Sequence, residues 1–338
     1  MPRQARIDAP GALHHIICRG IDRRPIFKDD SDRTDFVGRL SMLLPETATR
    51  CYAWALIPNH FHLLLKTGQV PIATVMRRLL TGYALSYNRR HHRHGHLFQN
   101  RYKSILCQEE NYLLELIRYI HLNPLRARQV SSLEQLASHP WCGHSRLLGK
   151  ASASWQENDD LLQRFAKEPS AARKKYEEFV AEGVELGKRP ELVGGGLIRS
   201  SGGWALVKQQ PKVMLQQKSD ERILGDSEFV ESVLAEAEEV LEKRTRYQQQ
   251  GVTFESLVQM TAGHFGVAST ALLSASKHPV RVRARSLLCY WAVRELGMTA
   301  TAVAHKVHMT QPAVSRAVER GRGIAAEVDL DLNGKGKA

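Results

Sequence analysis

Residues 51–66 read Cys51-Tyr52-Ala53-Trp54-Ala55-Leu56-Ile57-Pro58-Asn59-His60-Phe61-His62-Leu63-Leu64-Leu65-Lys66, two short apolar runs split by a proline and an asparagine. Pro-Asn is turn chemistry, so the stretch predicts a hairpin of Cys51 to Ile57 with Phe61 to Lys66. On both sides the period changes. From about Asp30 to just before Pro45, Phe36, Val37, Leu40 and Leu43 share one helical face, and between Pro71 and Arg90 the same holds for Ile72, Val75, Leu79, Tyr83 and Tyr87. Leu13 to Cys18 is a β-branched apolar run that predicts a strand before the first helix, and Phe98 to Leu106 predicts one after the second. Glu109 to about Asn123 reads as a further helix, with Glu109 and Glu110 in its first turn and Pro124 beyond its end. The order β-α-β-β-α-β-α predicts an α+β fold, a ferredoxin-like antiparallel sheet with helices on one face.

Beyond this block the pattern weakens from about Trp141 to Gly225, where only Ala171 to Glu182 is clearly helical. The glycines between Gly194 and Gly203 invite a phosphate-loop reading. No Gly-Lys-Ser/Thr follows them and no clear strand leads in, so a flexible connection is expected instead. Glu228 to about Lys243 is amphipathic, Thr253 and Ser269 are candidate helix caps, and Pro279 to Leu296 predicts a longer helix displaying Arg281, Arg283 and Arg285. The expected division is a first domain over 1–145, a connection over 146–225, an all-α domain over 226–325 and a frayed tail over 326–338.

The chain has 338 residues with a formal charge of +13, is 43% hydrophobic and 25% charged. That length suggests more than one domain, and the apolar share suffices for real cores. The cationic surplus points to a polyanion, because neutralising phosphates releases condensed counterions. A membrane surface would meet the same electrostatics, but no apolar stretch is long enough to span a bilayer, so no membrane partner is expected. The five cysteines are dispersed and include no Cys-x-x-Cys, which argues against a disulfide framework or a cysteine zinc site. With no apolar signal core at the start, a cytoplasmic setting is expected.

Two signals carry chemistry. On a strand, residues two apart point the same way, so His60 and His62 present paired imidazoles able to hold one divalent ion. On a helix, residues four apart stack, so Tyr119 and Asn123 share a face. Taken singly, each has an ordinary structural reading: two polar residues on a solvated strand, a half-buried aromatic, a helix stop before proline. His91-His92-Arg93-His94 resembles a zinc cluster but lacks cysteine or carboxylate company, and reads as a basic loop.

Four segments in order remove that ambiguity: His15-Ile16-Ile17-Cys18-Arg19-Gly20, Asn59-His60-Phe61-His62-Leu63-Leu64, Gly95-His96-Leu97-Phe98-Gln99-Asn100-Arg101-Tyr102-Lys103, and Arg118-Tyr119-Ile120-His121-Leu122-Asn123-Pro124. From about Ala12 to Leu125 the chain resembles the single-tyrosine HUH transposases of insertion sequences, most closely the REP-associated tyrosine transposases. The resemblance implies His60 and His62 as the paired metal ligands, Asn123 as the third, and Tyr119 as the nucleophile. It also implies Mg²⁺ or Mn²⁺ as cofactor and cleavage and rejoining of single-stranded or hairpin DNA through a 5′-phosphotyrosine. Arg19, Arg77, Arg78, Arg101 and Lys103 are candidate phosphate contacts. A homodimer is left open.

Between Thr299 and Gly321 lies a helix-turn-helix candidate. Ala300 to Lys306 is its first helix, Val307-His308-Met309 the turn, and Thr310 the cap of a second helix presenting Gln311, Ala313, Ser315 and Arg316 toward a major groove. His308 occupies the turn position usually given to glycine. Phe254 to Ile324 resembles the C-terminal DNA-binding domain of the replication initiator DnaA, which implies duplex recognition without ATPase activity. Two other readings are a sequence-specific regulator that kept this fold but no longer moves DNA, and an HUH replication or conjugation nuclease, whose tyrosine and histidines are usually arranged differently.

Overall fold

The computed structural model describes residues 7–9, 11–187, 189, 192–193, 220, 222–226, 228–235, 246–247, 249–274 and 278–328. The glycine-rich stretch from Gly194 to Gly203, the second half of the helix expected to reach Lys243 and the end of the tail lie outside those residues. The chain divides into two compact units, Met1–Ser232 and Val233–Ala338.

The first unit is built on a sheet of five strands in the order β2-β3-β1-β4-β5. Strand β1 is Leu13–Arg19, β2 Arg50–Ile57, β3 His60–Lys66, β4 Lys103–Cys107 and β5 Ile223–Leu224. The central strand β1 pairs antiparallel with β3 and β4, and β2 closes the hairpin on β3. With α1 (Asp30–Glu46) after β1 and α2 (Ile72–Arg90) after β3, the connectivity is the expected split β-α-β arrangement.

Two expectations about the sheet change. Helices cover both faces, not one. Helices α1 and α2 pack with Ile16, Cys18, Trp54, Leu56, Phe61 and Leu63, while α3 (Glu109–His121) packs on the other face with Leu13, Ala53, Ala55, Leu64 and Ile105. The cause is in β2, whose residues from Cys51 to Ile57 are all buried, so neither side of that strand can face water. The sheet is also not wholly antiparallel. Strand β5, from the segment read as a connection, adds alongside β4 in parallel, with the Leu106 and Gln108 amides donating to Arg222 and Leu224.

Local chemistry explains most element ends. The Asp29 carboxylate caps α1 by accepting from the Asp32 amide, and Arg90 at the end of α2 grips both Asp29 and Asp32. Helix α1 runs through Pro45 in its last turn instead of stopping before it. Strand β4 begins at Lys103, because Phe98 makes only an isolated bridge to Gly20 and the chain bends over 99–101. Helix α3 ends at His121, and Pro124 sits in the first turn of α4 (Asn123–Arg126). The short α5 (Leu133–Ser138), α6 (His144–Leu147) and α7 (Asp159–Gln163) lead to α8 (Pro169–Glu182). The last is docked by the Tyr176 hydroxyl, which bonds His121 Nδ1 at 2.8 Å and His144 Nδ1 at 2.6 Å.

The second unit consists, among its described elements, of α9 (Phe254–Phe265), α10 (Ser269–Leu273), α11 (Pro279–Arg294), α12 (Ala300–Lys306) and α13 (Gln311–Glu327). Thr253 caps α9 with a capping box, whereas Ser269 is the first residue of α10 rather than its cap. Thr310 caps α13, and His308 takes φ 51°, the left-handed conformation expected for that turn position. Arg285 is not displayed: it is buried and donates to the Leu272 and Ser274 carbonyls, while Arg283 pairs with Glu327.

Helices α11 and α13 meet where a side chain is missing. A Cβ on Gly321 would come within 2.0 Å of the Ser286 carbonyl oxygen, whereas one on Gly263 in α9 would meet nothing within 4 Å. Gly321→Ala is therefore expected to lose about 1–3 kcal/mol through overpacking, offset by about 1 kcal/mol of helix propensity. Gly263→Ala should show only the propensity gain. Guanidinium unfolding of the two variants checks this; equal midpoints would show that the close approach carries no energy.

Candidate active site

Alternation along β1 and β3 sends His15, Ile17 and Arg19, together with His60 and His62, to the face covered by α3. Register then decides who meets whom. Ile17 lies opposite His62 and Arg19 opposite His60, so His15 is the diagonal neighbour of His62. The His60 and His62 rings stand 5.2 Å apart. From α3, the half-buried Tyr119 sets its ring at right angles to His62 at 5.8 Å and to His15 at 6.0 Å. Asn123, one turn on, donates Nδ2 to the Tyr119 carbonyl at 3.1 Å, which leaves Oδ1 as the free acceptor of its amide. Behind Tyr119, the Arg126 guanidinium lies 5.3 Å from the ring centroid.

Ile17, His60, His62, Tyr119 and Asn123 line one open cleft of about 370 Å³. Its other walls are Arg19, Gln99, Asn100, Arg101, Lys103 and Val193. Of the phosphate contacts expected from the sequence, Arg19, Arg101 and Lys103 are thus brought to Tyr119 and the histidine pair. Lys103 Nζ also donates to the Val193 carbonyl at 2.8 Å. Arg77 and Arg78 are not brought there. They belong to α2 on the opposite face of the sheet, and Arg78 makes a two-pronged ion pair with Glu46 at 2.8 and 2.7 Å. His91 lies outside the cleft as well, its Nε2 2.9 Å from both Asp32 oxygens and its ring against Tyr87. Tyr112, near the start of α3, packs against the core instead of lining the cleft, and burial raises its pKa. In the second unit Arg316 is exposed, while Gln311 Nε2 and Ser315 Oγ bond to each other at 3.1 Å.

The electrostatics suit ligation. Burial, with Arg19 nearby, lowers the His60 pKa to about 4. Burial lowers His62 well below its ordinary value, helped by repulsion from His15, His60 and Arg19. Both rings are therefore neutral at pH 7, the form that offers a lone pair. The tautomer of His60 is set by its surroundings. Asn59 Nδ2 donates to the Arg23 carbonyl, so Asn59 Oδ1 must be the atom 2.7 Å from His60 Nδ1. An amide oxygen only accepts, so His60 Nδ1 carries the proton and Nε2 is bare.

Among the described residues there is no group of three or more His, Cys, Asp or Glu arranged to hold a metal ion. The donors available in the cleft are two neutral imidazoles and one amide oxygen. That mixed set fits a borderline divalent ion such as Mn²⁺ better than Mg²⁺, which favours all-oxygen shells.

Sequence reasoning passed over Gln99 and Asn100 as cleft residues, and it quoted His15 without giving it a role. Strand alternation places His15 on the correct face, but only the β1–β3 register places it beside His62. Among the described residues no helix is long and apolar enough to cross a membrane.

No curated protein matches the chain. Among solved structures it is similar to a REP-associated tyrosine transposase bound to a REP hairpin, at 13% identity and a TM-score of 0.38, covering 46% of this chain and 98% of that one. Residues 10–123, the segment that supplies β1 to α3 and every histidine and tyrosine of the cleft, match the family of IS200-like transposases.

Proposed function

We propose that the first unit is a metal-dependent DNA strand transferase of the single-tyrosine HUH type, cutting and rejoining single-stranded or hairpin DNA with Tyr119 as nucleophile. The observation that carries this reading is the Tyr119 ring standing against the His60–His62 pair in a cleft rimmed by Arg19, Arg101 and Lys103. The match of residues 10–123 to the IS200-like transposases supports it.

The cationic rim binds the phosphates flanking the scissile bond. Tyr119 Oη attacks the phosphorus, so an Oη–P bond forms while the P–O3′ bond breaks. The phenolic proton is lost to solvent, and the departing 3′ oxygen takes one up. The phosphate stays on the 5′ end of the downstream fragment as a phosphotyrosine, and a 3′-hydroxyl from another strand reverses the step without any nucleotide cofactor. His60, His62 and Asn123 would hold the divalent ion, which supplies polarisation of the phosphoryl oxygen when bound. The His60 and His62 rings stay neutral, Asn123 is held by the backbone of the same helical turn as Tyr119, and Arg126 braces the phenol ring.

For the second unit we infer duplex DNA recognition through the helix-turn-helix over 299–321, with Arg316 exposed on α13 and Gln311 and Ser315 beside it. The resemblance to the DnaA C-terminal domain and the left-handed His308 turn support this role.

Tyr119→Phe is expected to abolish the covalent protein–DNA adduct and leave hairpin affinity within about twofold, since only one oxygen is removed. Tyr112→Phe should keep the adduct. Incubation with labelled hairpin DNA followed by denaturing electrophoresis distinguishes them, and an adduct undiminished in Tyr119→Phe would remove Tyr119 as nucleophile.

Cleavage should stop in excess chelator and in His60→Ala or His62→Ala, by at least about 10²-fold, because a ligand and its charge stabilisation are lost together. Because the His60 pKa is lowered to about 4, its ligand form persists below the ordinary 6.5, so Mn²⁺ binding should survive at pH 5.5 and fail only nearer pH 4. Calorimetric titration at the two pH values checks the sign. Cleavage that persists in excess chelator would overturn the metal assignment.

A chain ending at Ser232 retains β5 and the whole cleft, and is expected to keep hairpin cleavage. It should lose site-specific duplex binding, and with it part of the salt dependence, because Arg281 and Arg316 go with the second unit. Gel shifts on duplex DNA at two salt concentrations, beside cleavage assays, decide this. Unchanged duplex affinity would remove α13 as a recognition helix.

A further inference from the structure

His15 is fully buried on β1, on the cleft face of the sheet. Its Nε2 lies 3.0 Å from His62 Nδ1, and the two rings stack at 5.2 Å with 28° between their planes. A hydrogen bond between two neutral imidazoles needs one N–H and one bare nitrogen. If His15 accepts, His62 carries its proton on Nδ1 and turns a bare Nε2 outward. If His15 donates, His62 holds its proton on Nε2 and cannot ligate an ion through it.

Two observations, taken with the ligand reading of His62, select the first arrangement. His60 already has that form, because Asn59 Oδ1 can only accept. An ion held through both Nε2 atoms needs both of them bare. His62 Nδ1 is occupied by His15, so Nε2 is the one ring nitrogen left to the cleft.

We propose that His15 is a positioning residue that accepts the His62 Nδ1 proton and so holds His62 with its Nε2 bare toward the cleft. This extends the metal-ligand reading of His62 given above and can be tested apart from it. Asn59 and His15 then perform the same task for the two ligands, one from the β2–β3 turn and one from the central strand. Such outer partners typically alter metal affinity 10–100-fold when removed.

The test uses the full chain labelled with ¹⁵N-histidine, free of metal, with the His62 ring signals identified by their loss in His62→Gln. Long-range ¹H–¹⁵N spectra report the tautomer directly. The wild-type protein should show His62 protonated at Nδ1, and His15→Phe should shift it to the Nε2-protonated form while far-UV circular dichroism stays unchanged. His15→Gln, whose Oε1 is an acceptor at nearly the same reach, should restore the Nδ1 form. Calorimetric titration with Mn²⁺ should then give about 10–100-fold weaker binding in His15→Phe and near wild-type binding in His15→Gln. An Nε2-protonated His62 in the wild-type protein, or a wild-type tautomer in a folded His15→Phe, overturns the proposal. The expected tautomers with no Mn²⁺ binding by the wild-type chain would support the role of His15 and overturn the metal assignment instead.

Discussion

The pairing of β1 with β3 is the constraint on which the first unit depends. It is the central ladder of the sheet, and its register puts Ile17 against His62 and Arg19 against His60. A slip of one residue would turn every side chain of β1 to the other face. His15 would then leave His62, and Ile16 and Cys18 would leave the core beneath α1 and α2. Apolar packing on both faces resists that slip, so the same burial that holds the sheet together also fixes the positions of the polar groups.

Burial has a second consequence. Removing His15, His60 and His62 from water disfavours their charged forms, and at His62 the neighbouring His15 and His60 add to the effect. The outcome is a neutral, nucleophilic patch at the floor of a cleft whose rim is cationic. Under the proposed function, Arg19, Arg101 and Lys103 would draw in a phosphate above the uncharged nitrogens of His60 and His62. Placing the charge at the exposed rim and the ligands in the buried floor avoids the cost of burying an unpaired cation.

The segment after α3 stabilises the site from behind. Tyr176 of α8 sits between His121 and His144, and Arg118, itself buried, reaches Glu115 at 2.6 Å and stacks on Phe179. His121 and Arg118 flank Tyr119 on α3, so these contacts fix the rotation of the helix that carries the phenol. Together with β5, they make the described residues between 146 and 225 part of the first unit's packing.

Much of this was legible in the residues. Alternation in β1 and β3 and helical spacing in α1, α2 and α3 report burial directly, because the repeats of strand and helix differ. The His-x-His pair and the Tyr119–Asn123 spacing follow from the same two periods, and the helix-turn-helix spacing placed a left-handed turn at His308 although the residue there is not glycine. Long-range pairing is not periodic, and there the sequence was silent: the second helical layer, the partner of His15, the ion pair that takes Arg78 away from the site, the burial of Arg285 and the addition of β5 to an edge. The chain by itself determined which residue types share a face. Only the tertiary structure decided which faces meet, because that depends on register and packing between segments tens of residues apart, whose energy no local stretch contains.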